Sequence, residues 1–271
     1  MAGFLAASIA CAADAPLSCH NTSSFDTCCL NFPGGDLVQT QFWDTNPASG
    51  PADSWTIHGL WPDHCDGTYD ANCDESRAYT NITQILQAAS PATLSYMQTY
   101  WKSDSGSDES FWEHEWGKHG TCISTLSPSC YADYRPAQEA ADFFDRTVGL
   151  FRTLSSYAWL AEAAIVPSAS RTYTLSAIQT ALQSQFGHPV VVRCNAEREL
   201  QELWYHFNVR GNVQTGIFTP VDPVGSGSTC PSAGIKYLPK PGATTTTTTG
   251  RSATFTTTPA ESGFTLSSSK G

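Results

Sequence analysis

Ten cysteines constrain the fold of this chain more than any other feature of its sequence. They occupy positions 11, 19, 28, 29, 65, 73, 122, 130, 194 and 230 of 271 residues. Their spacings are irregular and no pair has the CxxC form, so zinc-ribbon and redox-motif interpretations are weak. An even number of scattered cysteines in a polar chain is typical of disulfides formed in an oxidising compartment. We expect five disulfides in a secreted protein, with a vacuolar or lysosomal location as the alternative.

Charge and hydropathy argue against two classes of protein. The formal net charge is −11, from 14 Lys and Arg against 25 Asp and Glu. This balance disfavours a broad basic surface for nucleic acid but allows a small local phosphate site. No stretch approaches about 20 consecutive apolar residues, so we expect no membrane span. Two N-glycosylation sequons, at Asn21 and Asn81, agree with secretion.

The composition divides the chain into three parts. Residues 1–15 are signal-like, with an apolar run followed by small residues, although they lack a positively charged start. Residues 16–240 have the mixed composition of one globular domain. Residues 241–271 are rich in Thr and Ser and almost without apolar residues, so we expect a disordered tail.

Hydrophobic patterns in residues 16–240 predict both strands and helices. Strand-like stretches are SWTIHGLW, PVVVRC, LWYHFNVRG and TGIFTPVD. Helix-like stretches are NITQILQAASPATLSYMQTYW, interrupted at Pro91, then FWEHEWGKHG, QEAADFFDRTVGLFRTL and TLSAIQTALQSQFG. They follow no regular βαβ rhythm, which favours an α+β fold over a doubly wound sheet. We expect a single disulfide-stapled domain with a central, mostly antiparallel sheet packed by helices.

The stretch FWEHEWGKHG, residues 111–120, crowds titratable groups among large aromatic rings. In a helix, Glu115 and His119 share one face, and His114 and Lys118 form a second pair about 100° away. A solvated helix face with i,i+4 pairs is the ordinary interpretation of such spacing. The aromatic rings and the two nearby glycines favour a chemical site instead.

A zinc site is the rival chemical interpretation of the same stretch. The metalloprotease pattern H-E-x-x-H needs histidines four residues apart. Here Lys118 stands four residues after His114, and His119 stands five after it. Ideal helix geometry makes those two imidazoles diverge, and a lysine repels a cation. We therefore expect no metal.

The stretch SWTIHGLWPDHC, residues 54–65, is a strand followed by a turn. If Trp55 and Ile57 enter the core, His58 points into a groove, where Gly59 ends the regular pairing and leaves space. Trp61 can stack on a nucleobase, and Asp63 can accept from an amino group such as that of adenine. The alternative, that Trp61 is core and Asp63 a turn residue, is equally open.

Two histidines on different elements suit the cleavage of RNA, which carries its own nucleophile, the 2′-hydroxyl. One imidazole takes the proton of that hydroxyl, and another protonates the leaving 5′-oxygen. A lysine stabilises the charged phosphorane, and no metal or other cofactor is required.

The blocks HGLWP, residues 58–62, and HEWGKHG, residues 114–120, closely resemble the two signatures of the T2 ribonucleases. The likeness is greatest to fungal members and covers about residues 11–240, including the cysteine layout. It implies an α+β fold, secretion, and cleavage of single-stranded RNA through a 2′,3′-cyclic phosphate to 3′-phosphate ends, with low base specificity. We expect a monomer whose partner is its RNA substrate. The alternative is an inactive RNA-binding or signalling relative, which the intact catalytic set disfavours.

The resemblance also implies roles and pairings for individual residues. It makes His119 the base and His58 the acid, with Glu115 and Lys118 stabilising the transition state and His114 binding phosphate. It assigns Trp61, Asp63 and Tyr69 to a main base site and Phe111 to a second one. The implied disulfides are Cys11–Cys29, Cys19–Cys65, Cys28–Cys130, Cys73–Cys122 and Cys194–Cys230. His64 is expected at the surface, and His206 is expected to be structural.

Overall fold

The computed structural model describes residues 9–20 and 26–240. Its strands are β1 (Asp36–Phe42), β2 (Thr56–Asp63), β3 (Thr172–Tyr173), β4 (Val191–Cys194), β5 (Leu200–Arg210), β6 (Ile217–Pro220) and β7 (Ile235–Lys236). Its α-helices are α1 (Ile82–Ala89), α2 (Pro91–Tyr100), α3 (Asp108–Lys118), α4 (Gln138–Phe151), α5 (Ser156–Glu162) and α6 (Leu175–Phe186). Short 3-10 turns lie at Glu75–Arg77, Gly120–Cys122, Ser124–Leu126 and Pro128–Cys130.

A five-stranded sheet organises the domain. Its strands run in the order β2-β1-β5-β4, with β6 also paired to β5, and every pair is antiparallel. Strands β3 and β7 form a separate antiparallel pair. The α+β fold with an antiparallel central sheet, expected from the sequence, is confirmed.

The two faces of this sheet differ. Leu37 of β1 and Leu203 and Tyr205 of β5 are fully buried in the main hydrophobic cluster. Helix α4 contacts β1 and β2, and α6 contacts β4. Because strand side chains alternate, the residues between these core positions point to the opposite face. Glu202 and Trp204 of β5 are among them and are only partly buried, so this face is available for a site.

The central strand β1, DLVQTQF, was not predicted from the sequence. Its fully buried Gln39 and Gln41 lie on the core face, where strands ordinarily carry apolar side chains. Gln41 donates to Gln39, and its own side-chain oxygen accepts from the Ser156 hydroxyl at 2.6 Å. These hydrogen bonds offset the burial of the amides, and the polar pattern explains why periodicity did not reveal the strand. Helix α5 was also missed.

Most predicted elements are confirmed with small shifts in their bounds. The helical stretch around Pro91 does divide there, because α1 ends at Ala89 and α2 begins with the proline. A proline is tolerated at the first helical position, where its missing N–H costs no bond. Gly187 follows α6 with φ of 89°, the left-handed conformation that favours glycine at a helix end.

Five disulfides tie the domain together, and they join the pairs that the resemblance implies. They are Cys11–Cys29, Cys19–Cys65, Cys28–Cys130, Cys73–Cys122 and Cys194–Cys230. Cys28–Cys130 closes a separation of 102 residues. Removing a bridge that closes a loop of this size frees the unfolded chain considerably, so such bridges typically contribute several kcal/mol, about 2–5.

The ends of the described chain bear on the expected division into parts. The Ile9 amide donates to the Cys130 carbonyl, and Cys11 is bonded to Cys29, so the chain is tied to the domain before position 16. Asn81 is exposed at the start of α1, as a glycosylation acceptor must be, whereas Asn21 and the tail 241–271 lie outside the described residues. Within 9–20 and 26–240, no helix has both the length and the apolarity to cross a bilayer.

Candidate active site

A β-bulge on β2 places the first histidine. Thr40 of β1 lies opposite Gly59, and Gln41 lies opposite Ile57, so His58 is an extra residue without a partner on β1. A bulge interrupts the alternation of side chains and re-aims the bulged residue. His58 therefore reaches the face of the sheet that carries Trp61, although strict alternation would separate the two.

Strand β2 also runs further than predicted. Gly59 was expected to end its pairing, but pairing with β1 continues to Asp63. What Gly59 does provide is space, because a Cβ built there would lie 1.9 Å from Glu115 Oε2. The sequence thus predicted correctly that Gly59 leaves space. The side chain that uses this space is Glu115.

Helix α3 supplies the second block, and its aromatic residues explain the crowding in the sequence. Trp112 and Trp116 are buried, and their indole N–H groups donate to the carbonyls of Trp101 and Arg77 at 2.9 and 2.6 Å. The rings therefore fix the helix against the core. Glu115, buried beside these two rings, then contacts the sheet at Gly59 and Trp61.

The end of α3 is held by two further connections. The helix stops at Lys118, and the His119 amide donates to the Glu115 carbonyl at 3.1 Å. The Lys118 carbonyl accepts from the Asn72 amide at 3.0 Å. The Cys73–Cys122 disulfide fastens the segment after β2 to the segment after α3. This linkage sets the two signature blocks against each other.

Glu115 lies beneath the site and is fully buried. The Trp61 indole donates to its Oε2 at 3.1 Å, and its Oε1 is 3.6 Å from His58 Nε2. Burial raises the pKa of Glu115, against the lowering effects of His58 and the Trp61 hydrogen bond. Burial therefore makes Glu115 easier to protonate than an exposed glutamate side chain.

His119 is only 5% exposed and stacks on Trp61, with ring centroids 5.1 Å apart. Burial, and then the nearby charges of Lys118, His58 and His114, lower its pKa to about 2. His119 is thus neutral in mildly acidic solution, which is the state that accepts a proton. The pKa of His114 is also lowered, mainly by burial.

The rings of His114 and His119 do not diverge as ideal helix geometry predicts. Their centroids are 6.5 Å apart, edge to face. His119 is the residue that follows the last helical residue, and its φ of −110° departs from regular helix geometry. Among the described residues, nevertheless, no group of three or more His, Cys, Asp or Glu side chains is arranged to hold a metal ion.

Several neighbours of His58 were missed by sequence reasoning. Phe42 stacks on its ring at 3.9 Å, and Glu202 Oε1 lies 2.6 Å from its Nδ1. Arg193 of β4 lies 3.7 Å from the other oxygen of Glu202 and over the ring of Trp204 at 4.4 Å. Alternation in β5 puts Glu202 and Trp204 on one face, but no local signal shows that this face meets His58.

A cleft of about 270 Å³ opens beside these groups. Its lining includes most of the predicted site residues: His58, Trp61, Asp63, Tyr69, Lys118 and His119. Trp204, Gly67, Val224 and Ser226 complete it. Phe111 lies outside this lining but beside His58, with centroids 5.7 Å apart.

Three residues of the cleft have the features of a base-binding site. Trp61 is half-buried: its indole N–H donates to Glu115, and its ring forms part of the cleft wall. It is therefore not simply a residue of the hydrophobic core. Tyr69 is 62% exposed at the rim. Burial, and then the charge of Asp36, raises the pKa of Asp63 to about 7. In acidic solution Asp63 is therefore a neutral carboxyl that can donate as well as accept.

The remaining histidines lie outside the cleft lining. His64 bonds Thr68 and Asp70 near the surface, and His206 is buried against Asp36 at 2.7 Å. His188 pairs with the exposed Asp222, and His20 contacts Asn208. These placements agree with the surface and structural roles expected for His64 and His206.

Comparison with known proteins identifies the family to which this arrangement belongs. A family model described as the Ribonuclease T2 family matches residues 34–216. Ribonuclease Trv of Hypocrea rufa is 59% identical over 236 residues, which cover 86% of this chain and all of that protein. Ribonuclease T2 of Aspergillus oryzae is 54% identical over 85% of this chain and 84% of its own length.

A solved structure shows the same fold. The crystal structure of Actibind, described as a T2 ribonuclease, superposes with a TM-score of 0.83 at 51% identity. The match covers 86% of this chain and 99% of that one. By sequence, family profile and fold, this chain belongs to the ribonuclease T2 family.

Proposed function

We propose that this chain is a secreted, metal-independent endoribonuclease that cleaves single-stranded RNA through a 2′,3′-cyclic phosphate to 3′-phosphate ends. The observation that carries the proposal is the placement of His58 and His119, with Lys118, along one cleft. The two imidazoles differ in surroundings, since His119 is almost fully buried and His58 lies beside the carboxyl groups of Glu115 and Glu202. This difference suits one base and one acid.

The first step is a transesterification. Neutral His119 takes the proton of the 2′-hydroxyl, and the 2′-oxygen forms a bond to phosphorus. The bond from phosphorus to the 5′-oxygen breaks, and His58 Nε2 gives its proton to that oxygen. The products are a 2′,3′-cyclic phosphate and a free 5′-hydroxyl. In the second step the roles reverse, and water opens the ring to a 3′-phosphate.

In this proposal, Lys118 and Glu115 stabilise the phosphorane. The ammonium of Lys118 balances the charge on the non-bridging oxygens. Glu115 Oε1 is buried and accepts no hydrogen bond, and burial favours its protonated form. A neutral carboxyl donates a hydrogen bond to a phosphoryl oxygen, whereas a carboxylate would repel it. His114, beside His119, adds a further donor for phosphate.

The cleft supports a base site on one side of the scissile phosphate. Trp61 and Tyr69 supply ring faces, and Asp63 supplies a donor and an acceptor below its pKa of about 7. This pair matches the ring nitrogen and amino group of adenine. Phe111 lies beside His58, the proposed acid, and so suits the base of the leaving nucleotide.

Five disulfides support secretion.

Turnover of polyuridylate in excess EDTA tests the proposal most directly. We expect full activity, with a cyclic phosphate appearing before the 3′-phosphate, because the two imidazoles perform the proton transfers. Loss of activity in EDTA and its return with zinc would support a metal hydrolase. Binding of polyuridylate without turnover would support an inactive relative.

Gly59→Ala is expected to lower kcat/KM for polyuridylate by about tenfold or more. The new methyl group would overlap Glu115 Oε2, so the carboxyl must move, and displacements near 1 Å in an active site have effects of this order. Steady-state rates on polyuridylate measure the loss.

Gly149→Ala is the matched control, because a Cβ on that exposed glycine of α4 meets no atom within 4 Å. It should retain the activity of the parent. Equal activity of the two variants would contradict the tight placement of Glu115 against β2.

A further inference from the structure

We propose that Glu202 is the positioning residue of His58: its carboxylate fixes which imidazole nitrogen exchanges the catalytic proton. The inference rests on the proposed function. Glu202 Oε1 lies 2.6 Å from His58 Nδ1, and the Glu202 side chain is 12% exposed. No signature block contains Glu202, which lies 144 residues further along the chain.

The short contact determines the tautomer of His58. A carboxylate only accepts hydrogen bonds, so the Nδ1 that faces Glu202 carries the hydrogen. After His58 gives its Nε2 proton to the leaving oxygen, the imidazole remains in the Nδ1–H form. Nε2 is then free to take a proton from water in the second step. Without Glu202, the imidazolium is no longer anchored with Nε2 toward the leaving oxygen in the first step. In the second step, the neutral ring can also adopt the tautomer that carries its hydrogen on Nε2, which then cannot accept a proton there.

The surroundings hold Glu202 where this role requires it. Its position on β5 is directly opposite Phe42 of β1, which stacks on His58, and directly opposite Arg193 of β4. Arg193 is 3.7 Å from Glu202 Oε2 and lies over Trp204. The guanidinium of Arg193 thus pairs with Oε2 of Glu202, and Oε1 remains to accept from His58. Phe42 fixes the plane of the imidazole.

A leaving-group comparison tests the role. Polyuridylate has an alkoxide leaving group that needs a proton, whereas uridine 3′-(4-nitrophenyl phosphate) releases a phenolate that does not. Glu202→Ala should lower kcat/KM for polyuridylate by about tenfold or more, and for the aryl ester by less than about threefold. Glu202→Gln, which keeps a neutral acceptor, should fall between the parent and the alanine variant.

The ratio of the two rates is independent of the fraction of folded enzyme, because misfolding lowers both equally. A double variant with His58→Ala provides the second test. Adding Glu202→Ala to His58→Ala should cause no further loss, since Glu202 acts only through that histidine. The matched control is Glu197→Gln, which neutralises an exposed carboxylate near the same end of the sheet and should change neither rate.

The outcomes separate the inference from the proposed function. Equal losses on both substrates, or an additive loss in the double variant, would show that Glu202 has only a structural role and does not act through His58. If the parent enzyme does not cleave polyuridylate, the proposed function fails, and ¹⁵N NMR of His58 still tests the contact. A protonated Nδ1 in the parent that is lost in Glu202→Ala supports the assignment, and an unchanged tautomer overturns it.

Discussion

His119→Ala is expected to lower kcat/KM for polyuridylate on the order of 100-fold or more, because it removes the general base. His119 stacks on Trp61 in the cleft, and its lowered pKa keeps its imidazole neutral in acidic solution. His58→Ala should have a loss of similar size on polyuridylate, since it removes the acid. The two variants should differ on an aryl ester substrate, where only the loss of the base remains costly.

The measurement is the steady-state rate on each substrate, with circular dichroism to compare folding. His188→Ala is the matched histidine control, because His188 lies outside the cleft and pairs with the exposed Asp222. It should retain full activity. Near-parent activity of His119→Ala or His58→Ala would remove that histidine from the mechanism.

The rate should also depend steeply on pH, with an optimum on the acid side at about pH 4–6. Burial and the neighbouring Lys118 lower the pKa of His119 to about 2. A lowered pKa leaves the imidazole neutral as the pH falls, so the base remains competent well below its ordinary range. The acid must be protonated, so the rate should fall about tenfold per pH unit once the solution is alkaline enough to deprotonate it.

The profile of kcat/KM against pH from about 2 to 9 measures this prediction. Lys118→Gln provides a directional check, because removing the ammonium weakens one cause of the low pKa of His119. Its acid limb should therefore move to higher pH, by less than the whole shift, since burial is the larger cause. A rate that keeps climbing above about pH 8 would contradict the assignment of a histidine as the acid.

Local patterns in the sequence determined a large part of this protein. Helical spacing indicated α3, which carries Glu115 and ends at Lys118 directly before His119, and proline divided α1 from α2. These features are predictable because they depend on residues within one or two turns of each other. The two signature blocks identified the family, which in turn implied the disulfides and six residues of the cleft lining, namely His58, Trp61, Asp63, Tyr69, Lys118 and His119.

Tertiary structure alone decided how the catalytic groups meet. The bulge at His58 depends on the register of β1 against β2, and β1 itself was hidden by its buried glutamines. Glu202 reaches His58 from a strand far along the chain. Register and strand order are set by packing over the whole domain, so they leave no periodic signal in the stretches concerned. The low pKa of His119 and the high pKa of Asp63 arise in the same way, because both follow chiefly from burial in the folded protein.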